Sequence, residues 1–239
     1  SSERNISLLS GRAVEEGLVA GGFRVSSLDL KGKSSLKELF KRKFSVAFIA
    51  LHGRFGEDGG IQAVLEGMGV PYTGSGVLAS SLAMNKSFAK RVFKSAGIPT
   101  PQWQEVSKYR PFKIRIPLPV VVKPSREGSA IGVSIVEKKK ELDSAFRRAF
   151  RYNDEIIVEK YIGGTELSAG VLGKRALAVI ELRPRRKFYD YKAKYTPGLC
   201  EHIVPAPLPA KDYKRVQEIA LSAHNALGCR GYSRVDLRM

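Results

Sequence analysis

Apolar and polar positions in the first third of the chain follow two alternating rhythms. Arg12–Ala20 has a helical pattern that stops at the pair Gly21–Gly22. Phe23–Leu28 reads as a short strand, and Ser34 or Ser35 can cap a helix running through Arg42. Ser45–Leu51 (SVAFIAL) is a nearly continuous apolar run, which predicts a strand buried on both faces. It leads into His52–Gly60 (HGRFGEDGG), a stretch too glycine-rich to be anything but a loop. Helices and strands alternating in this way predict parallel pairing with crossover helices. In such sheets ligands bind beyond the carboxyl ends of the strands, which is where this loop falls.

Further along, Gly74–Gly76 punctuates the chain and a long helix is predicted to run to about Ala96. Ala89, Val92, Phe93 and Ala96 form its apolar stripe. Gly97 follows as C-cap, and Ile98–Pro101 reads as an extended linker. The middle third carries a strand at Pro119–Lys123, a Gly/Ser loop, a strand at Gly132–Val136 and a helix near Lys139–Phe150. The last third opens with a strand at Glu155–Ile162 and a hairpin turning at Gly173–Lys174. A Pro-rich loop (Val204–Pro209), an amphipathic helix at Lys211–Leu227 and a strand-like end at Tyr232–Met239 complete it.

Composition narrows the class. With 239 residues, 43% hydrophobic and 27% charged, the chain is globular, and disorder, collagen and coiled coil are excluded. No run of about 18 apolar residues suggests a membrane span, and Ser1–Arg4 lacks a signal-peptide layout. Cys200 and Cys229 are too few for a disulfide framework or a zinc site and read as reduced thiols of a cytoplasmic protein. The net charge of +18 raises nucleic acid as a partner. However, residues 1–120 hold 18 basic and 9 acidic residues, so both halves carry the same +9 rather than a concentrated patch. The short basic runs Lys41–Lys43, Lys138–Lys140 and Arg183–Lys187 therefore read as solvated faces.

Four constellations bear chemistry. In Val120–Val133 (VVVKPSREGSAIGV) a buried strand delivers Lys123 to a loop of glycines and serines. Backbone N–H groups, hydroxyls and an ammonium suit a phosphate clamp; the alternative is an ordinary hairpin ending in a surface lysine. Ile156–Glu166 (IIVEKYIGGTE) offers strand-edge backbone to a base and a carboxylate to a ribose, or is simply a strand and turn. Phe188–Tyr195 (FYDYKAKY) is a substrate loop or an exposed aromatic strand. In Gly231–Asp236 (GYSRVD), Arg234 and Asp236 point the same way on a strand. They suit an anion-holding guanidinium beside a Mg²⁺-holding carboxylate, or form a surface ion pair.

The order and spacing of these stretches, together with ERNISLLSG (Glu3–Gly11), Ala50–Lys86 and AGIPTP (Ala96–Pro101), resemble the D-alanine–D-alanine ligases of the ATP-grasp superfamily over nearly the whole chain. The resemblance implies an α/β fold, α+β in its ATP-grasp part. A Rossmann-like substrate domain (1–83) would precede a central ATP-grasp lid (84–158) and an incomplete C-terminal subdomain (159–239). It implies that Glu3 holds the ammonium of the first D-alanine, with His52 over the same site. Lys86, Lys123 and Lys194 would contact the phosphates of ATP. Glu159, Lys160, Tyr161 and Ile162 would line the adenine pocket, with Lys160 and Ile162 acting partly through backbone groups, and Glu166 would take the ribose. Ser129 and Tyr195 would form a hydrogen-bonded group with Glu3. Arg234 would stabilise the developing oxyanion, and Asp236 would ligate Mg²⁺ or Mn²⁺.

The implied reaction passes through an acyl phosphate made from ATP, and the implied product, favoured by Tyr195, is D-alanyl-D-alanine for the bacterial cell wall. Expected partners are D-alanine and ATP, without nucleic acid or membrane, in a full-length homodimer. Ala130 stands where the family usually has Ser, and Asn85 where it has Asp. The family continues beyond the Arg–x–Asp strand into further metal ligands and begins before Glu3. The chain is therefore expected to be a fragment with little activity of its own. Competing expectations are a D-alanine–D-lactate ligase, an ATP-binding pseudoenzyme and a basic nucleic-acid-binding protein, the last of which explains none of the motifs.

Overall fold

Asn85 breaks what the apolar stripe presents as one helix. In a computed structural model, which describes residues 3–185 and 198–239, it adopts an extended conformation (φ −90°, ψ 99°). Its side chain accepts hydrogen bonds from the N–H groups of Ser87 (3.1 Å) and Phe88 (3.4 Å). This is an N-cap, and it divides the segment into α4 (Val77–Met84) and α5 (Lys86–Ser95). Burial on α5 also departs from the stripe: Ser87, Ala89 and Lys90 are buried, Val92 and Phe93 are half-buried, and Ala96 is exposed.

By contacts the chain divides into two units, Ser1–Ser81 and Leu82–Met239. In the first, α1 (Arg4–Ala20), α2 (Lys33–Lys41) and α3 (Gly60–Gly67) accompany extended segments. Ser35 lies in the first turn of α2, where its Oγ accepts from the N–H groups of Lys31 (2.8 Å) and Gly32 (3.1 Å). The two predicted strands are not ladders. Phe23–Leu28 has no strand assignment, and Ser45–Leu51 forms one parallel bridge, Ala47 to Tyr72. Nor is SVAFIAL buried on both faces. Ala47, Ile49 and Leu51 pack on the core of Leu39, Ile61 and Leu65, while Val46 and Phe48 are 59% and 45% exposed. Hydrophobicity marks an extended segment, but a strand also needs partners along both its polar edges.

The second unit holds two antiparallel sheets. The first comprises β1 (Trp103–Ser107), β2 (Val120–Pro124), β3 (Ser134–Val136) and β4 (Glu155–Lys160), in the order β1–β4–β2–β3. A short 3-10 turn (Lys139–Glu141) leads into α6 (Leu142–Ala149), which covers one face. Val120, Val122, Ile156 and Val158 alternate onto that face and pack with Ala145 and Ala149. Burying each such valine or isoleucine contributes about 1.5–3 kcal/mol. β1 falls just beyond the predicted linker and was not anticipated there.

The second sheet has the order β7–β6–β5–β8, from β5 (Glu166–Leu172), β6 (Arg175–Pro184), β7 (Cys200–Ile203) and β8 (Tyr232–Arg238). Helix α7 (Ala210–Ala226) packs Val216 and Ala220 against Leu167, Ala169 and Val179. His224 of α7 is buried and its Nδ1 meets Ser233 Oγ at 2.7 Å, so it is a structural histidine. Each sheet thus uses one face for a helix, and its other face carries charged residues such as Glu159 and Asp236.

Candidate active site

The alternation that sends Val120, Val122 and Val158 into the core sends Val121, Lys123, Ile157 and Glu159 to the opposite face. Lys123 lies diagonally across from Glu159, and Lys123 Nζ reaches Glu159 Oε1 at 2.5 Å. Trp103 of β1 stands directly opposite Glu159 on the other side. Lys90 of α5 meets Glu159 Oε2 at 3.0 Å. It also donates to Thr100 Oγ1 (2.8 Å) and the Pro101 carbonyl (3.1 Å), with its ammonium 5.3 Å from the centre of the Trp103 ring. Glu159 and Lys90 are each only 7% exposed. Burial by itself would raise the Glu159 carboxyl, but Lys123 and Lys90 together outweigh it and hold the group below the usual glutamate value. Burial lowers Lys90, against the opposing pull of Glu159.

The glycine loop follows Lys123 directly. Lys86, the first residue of α5, donates its backbone N–H to the Ser125 carbonyl (2.9 Å) and its Nζ to the Glu127 carbonyl. Two lysines distant in sequence therefore flank one loop. Within it Ser129 and Ala130 both have positive φ, 50° and 57°. An alanine in the left-handed region costs about 1–2 kcal/mol. Gly132 (φ 71°) is required sterically, since a Cβ there would lie 2.8 Å from both Pro124 Cγ and Tyr152 Cδ2.

At the end of β4 the N–H groups of Lys160 and Tyr161 are taken by the carbonyls of Gln102 (2.9 Å) and Pro119 (3.1 Å). These two N–H groups are therefore engaged within the protein. Ile162 follows, half-buried, and then the Gly163–Gly164 turn. A Cβ at Gly164 would meet the Met239 carbonyl at 2.1 Å. Glu166 opens β5 opposite Arg238. On β8, Arg234 and Asp236 pair through Nε–Oδ1 (3.0 Å) and Nη2–Oδ2 (3.2 Å), and Ser168 Oγ donates to Asp236 Oδ1 (3.0 Å). Among the described residues no group of three or more His, Cys, Asp or Glu is arranged to hold a metal ion, so the oxygen-rich shell that Mg²⁺ demands is not assembled from them.

In the first unit, Glu3 is buried at the N-cap of α1. Its carbonyl accepts from Ser7 Oγ (3.3 Å), and Ser7 Oγ in turn accepts from the His52 N–H (2.9 Å). His52 Nε2 meets Ser10 Oγ at 2.9 Å, and its Nδ1 lies 3.5 Å from Glu57 Oε1. The loop beyond is tightly folded: Gly56 packs on Leu51, and Gly59 (φ 96°) lies against Val77 and Ser81. Lys194 and Tyr195 lie outside the described residues.

Sequence reasoning missed Lys90, Trp103, Ser7, Ser10 and Ser168. A spacing of three does place Ser7 and Ser10 on one face of α1, and that signal was readable. For Lys90 no local signal exists.

Residues 27–75 match the family model "D-ala D-ala ligase N-terminus", and residues 92–239 match "D-ala D-ala ligase C-terminus". The D-alanine–D-alanine ligase of Geotalea uraniireducens is 51% identical over 245 residues, covering 99% of this chain and 77% of that protein. That of Geobacter sulfurreducens is 49% identical over 239 residues, covering 99% and 75%. The crystal structure of the Bacillus anthracis D-alanine–D-alanine ligase superposes with a TM-score of 0.89 at 35% identity, covering 100% of this chain and 79% of that one. The same enzyme complexed with ATP gives 0.87 at 32%, covering 100% and 78%.

Proposed function

The chain belongs to the D-alanine–D-alanine ligase family, and from that premise we propose that it joins two D-alanines in an ATP-dependent reaction. The observation that carries the reading is the convergence of Lys86 and Lys123 on one glycine loop. Attack of a carboxylate on a triphosphate is opposed by charge repulsion. Preorganised cations aimed at the phosphates remove that barrier without reorganising during the reaction. The first D-alanine carboxylate takes the γ-phosphoryl group of ATP, giving an acyl phosphate and ADP. The amine of the second D-alanine attacks the acyl carbon, loses a proton and expels phosphate.

Lys86, Lys123 and Lys194 hold the phosphates in this reading. Glu159, Lys160, Tyr161 and Ile162 line the adenine, and Glu166 takes the ribose. Glu3 and His52 serve the first D-alanine, with Ser129 and Tyr195 completing that group. Arg234 meets the developing oxyanion once it leaves Asp236. Asp236 would be a ligand for Mg²⁺ or Mn²⁺, which would neutralise phosphate charge. No described helix is long and apolar enough to cross a membrane.

The test is incubation of the full-length protein with ATP and D-alanine. ADP release matched one-to-one by D-alanyl-D-alanine supports the reading. ADP release that requires D-lactate, or ATP binding without either product, overturns it. Lys86→Met is expected to weaken ATP binding by about tenfold, as loss of one cation–phosphate contact near the surface would.

A further inference from the structure

The buried cluster holds two ammonium groups and one carboxylate, and their accessibility is unequal. The Lys90 side chain is 8% exposed and is surrounded by Glu159 Oε2, Thr100 Oγ1, the Pro101 carbonyl and the Trp103 ring. The Lys123 side chain is 21% exposed and stands at the mouth of the glycine loop. If Lys123 alone faced Glu159, the two charges would cancel and Lys123 would add no net charge to the loop that Lys86 also flanks. With Lys90 present the cluster sums to +1, and Lys123 is the group able to display it. Trp103 and Pro101 exclude water from the inner end, so the charge there is poorly screened.

We propose that Lys90 is a positioning residue for nucleotide binding: by neutralising Glu159 from behind, it leaves the charge of Lys123 available to the phosphates. This rests on the reading that the glycine loop receives ATP. The role of Lys90 is electrostatic and acts through Glu159 rather than by touching the ligand. The lowered affinity of Lys90 for its proton agrees with its burial, an effect that Glu159 opposes.

The experiment compares binding of ATP and of adenosine to the wild-type protein, Lys90→Met, Glu159→Gln and the double variant, with thermal melting to confirm folding. Lys90→Met should weaken ATP by about tenfold, the effect of one weakly screened unit charge, and leave adenosine within twofold. In the Glu159→Gln background the same substitution should cost clearly less ATP affinity, because no carboxylate remains to be neutralised. If Lys90→Met does not fold, Lys90→Gln, which can still donate to Thr100 and Pro101, carries the same expectations. Equal losses for ATP and adenosine, equal losses in both backgrounds, or no loss of ATP binding would each overturn the inference. If wild-type protein binds no ATP, the parent reading of the site has failed instead.

Discussion

The two sheets of the second unit each carry a cation–carboxylate pair on the face away from their helix, and the pairs differ in what surrounds them. On the first sheet, Glu159 sits between Lys123 and Lys90 and is nearly buried. On the second, the side chains of Arg234 and Asp236 are 69% and 47% exposed. The chemistry is the same and the energetics are not. A buried pair has given up its hydration, so removing one member strands the others at a cost of several kcal/mol. An exposed pair exchanges its partner for water at little cost, worth about 0–1 kcal/mol. The first cluster is therefore part of the scaffold, while the second can open for a ligand without endangering the fold.

The sharpest way to break that contrast is Glu159→Ala. It should destabilise the protein by about 3–5 kcal/mol, measured by urea unfolding, because two cations are left facing each other out of water. A loss below about 1 kcal/mol would place the cluster with surface pairs. Its pH signature follows from the sign of the shift. The folded carboxyl sits below its unfolded value, so its stabilisation is present above the ordinary glutamate range. That stabilisation is lost as pH falls through the lower folded value. Unfolding curves of Glu159→Gln should lack this component of the acid decline.

A smaller effect is expected at Asn85, which caps the helix that delivers Lys90. Asn85→Ala should cost about 1 kcal/mol, and Asn85→Asp should stay within a few tenths, since either short polar side chain accepts from the first turn. Thermal melts of the two variants decide whether the cap or packing holds α5 in place.

The smallest effect on stability should come from Asp236→Asn, about 0–1 kcal/mol, together with a large fall in ATP-dependent turnover. Unfolding and turnover measured on one preparation separate the two. A stability loss comparable to that of Glu159→Ala would erase the distinction between the sheets.

Much of the second unit was legible from the chain alone, and for a local reason. In β2, β4, β5 and β8 the apolar spacing and the turn residues coincide with the observed elements to within a few positions. The same period of two correctly placed Arg234 and Asp236 on one side. The first unit was less legible. SVAFIAL reads as a doubly buried strand, yet Val46 and Phe48 face outward and only Ala47 is bridged. A run of apolar residues records what can be buried, not which neighbour arrives to bury it. The helix broken at Asn85 shows the related limit: a residue tolerable mid-helix becomes a cap once its side chain turns back on Ser87 and Phe88.

The chain by itself determined the family, the order of its motifs, the strand faces of the second unit and the residue types suited to binding phosphate, because these depend on local spacing and chemical identity. Tertiary structure decided which charges are buried together. Lys90 lies 33 positions from Lys123 and 69 from Glu159, and by sequence it is one exposed-looking lysine among many. Only the packing of α5 beside β1 and β4 removes its water and offers Glu159, Thr100 and Pro101 instead. Burial is a property of the assembled neighbours, and no spacing along the chain encodes it.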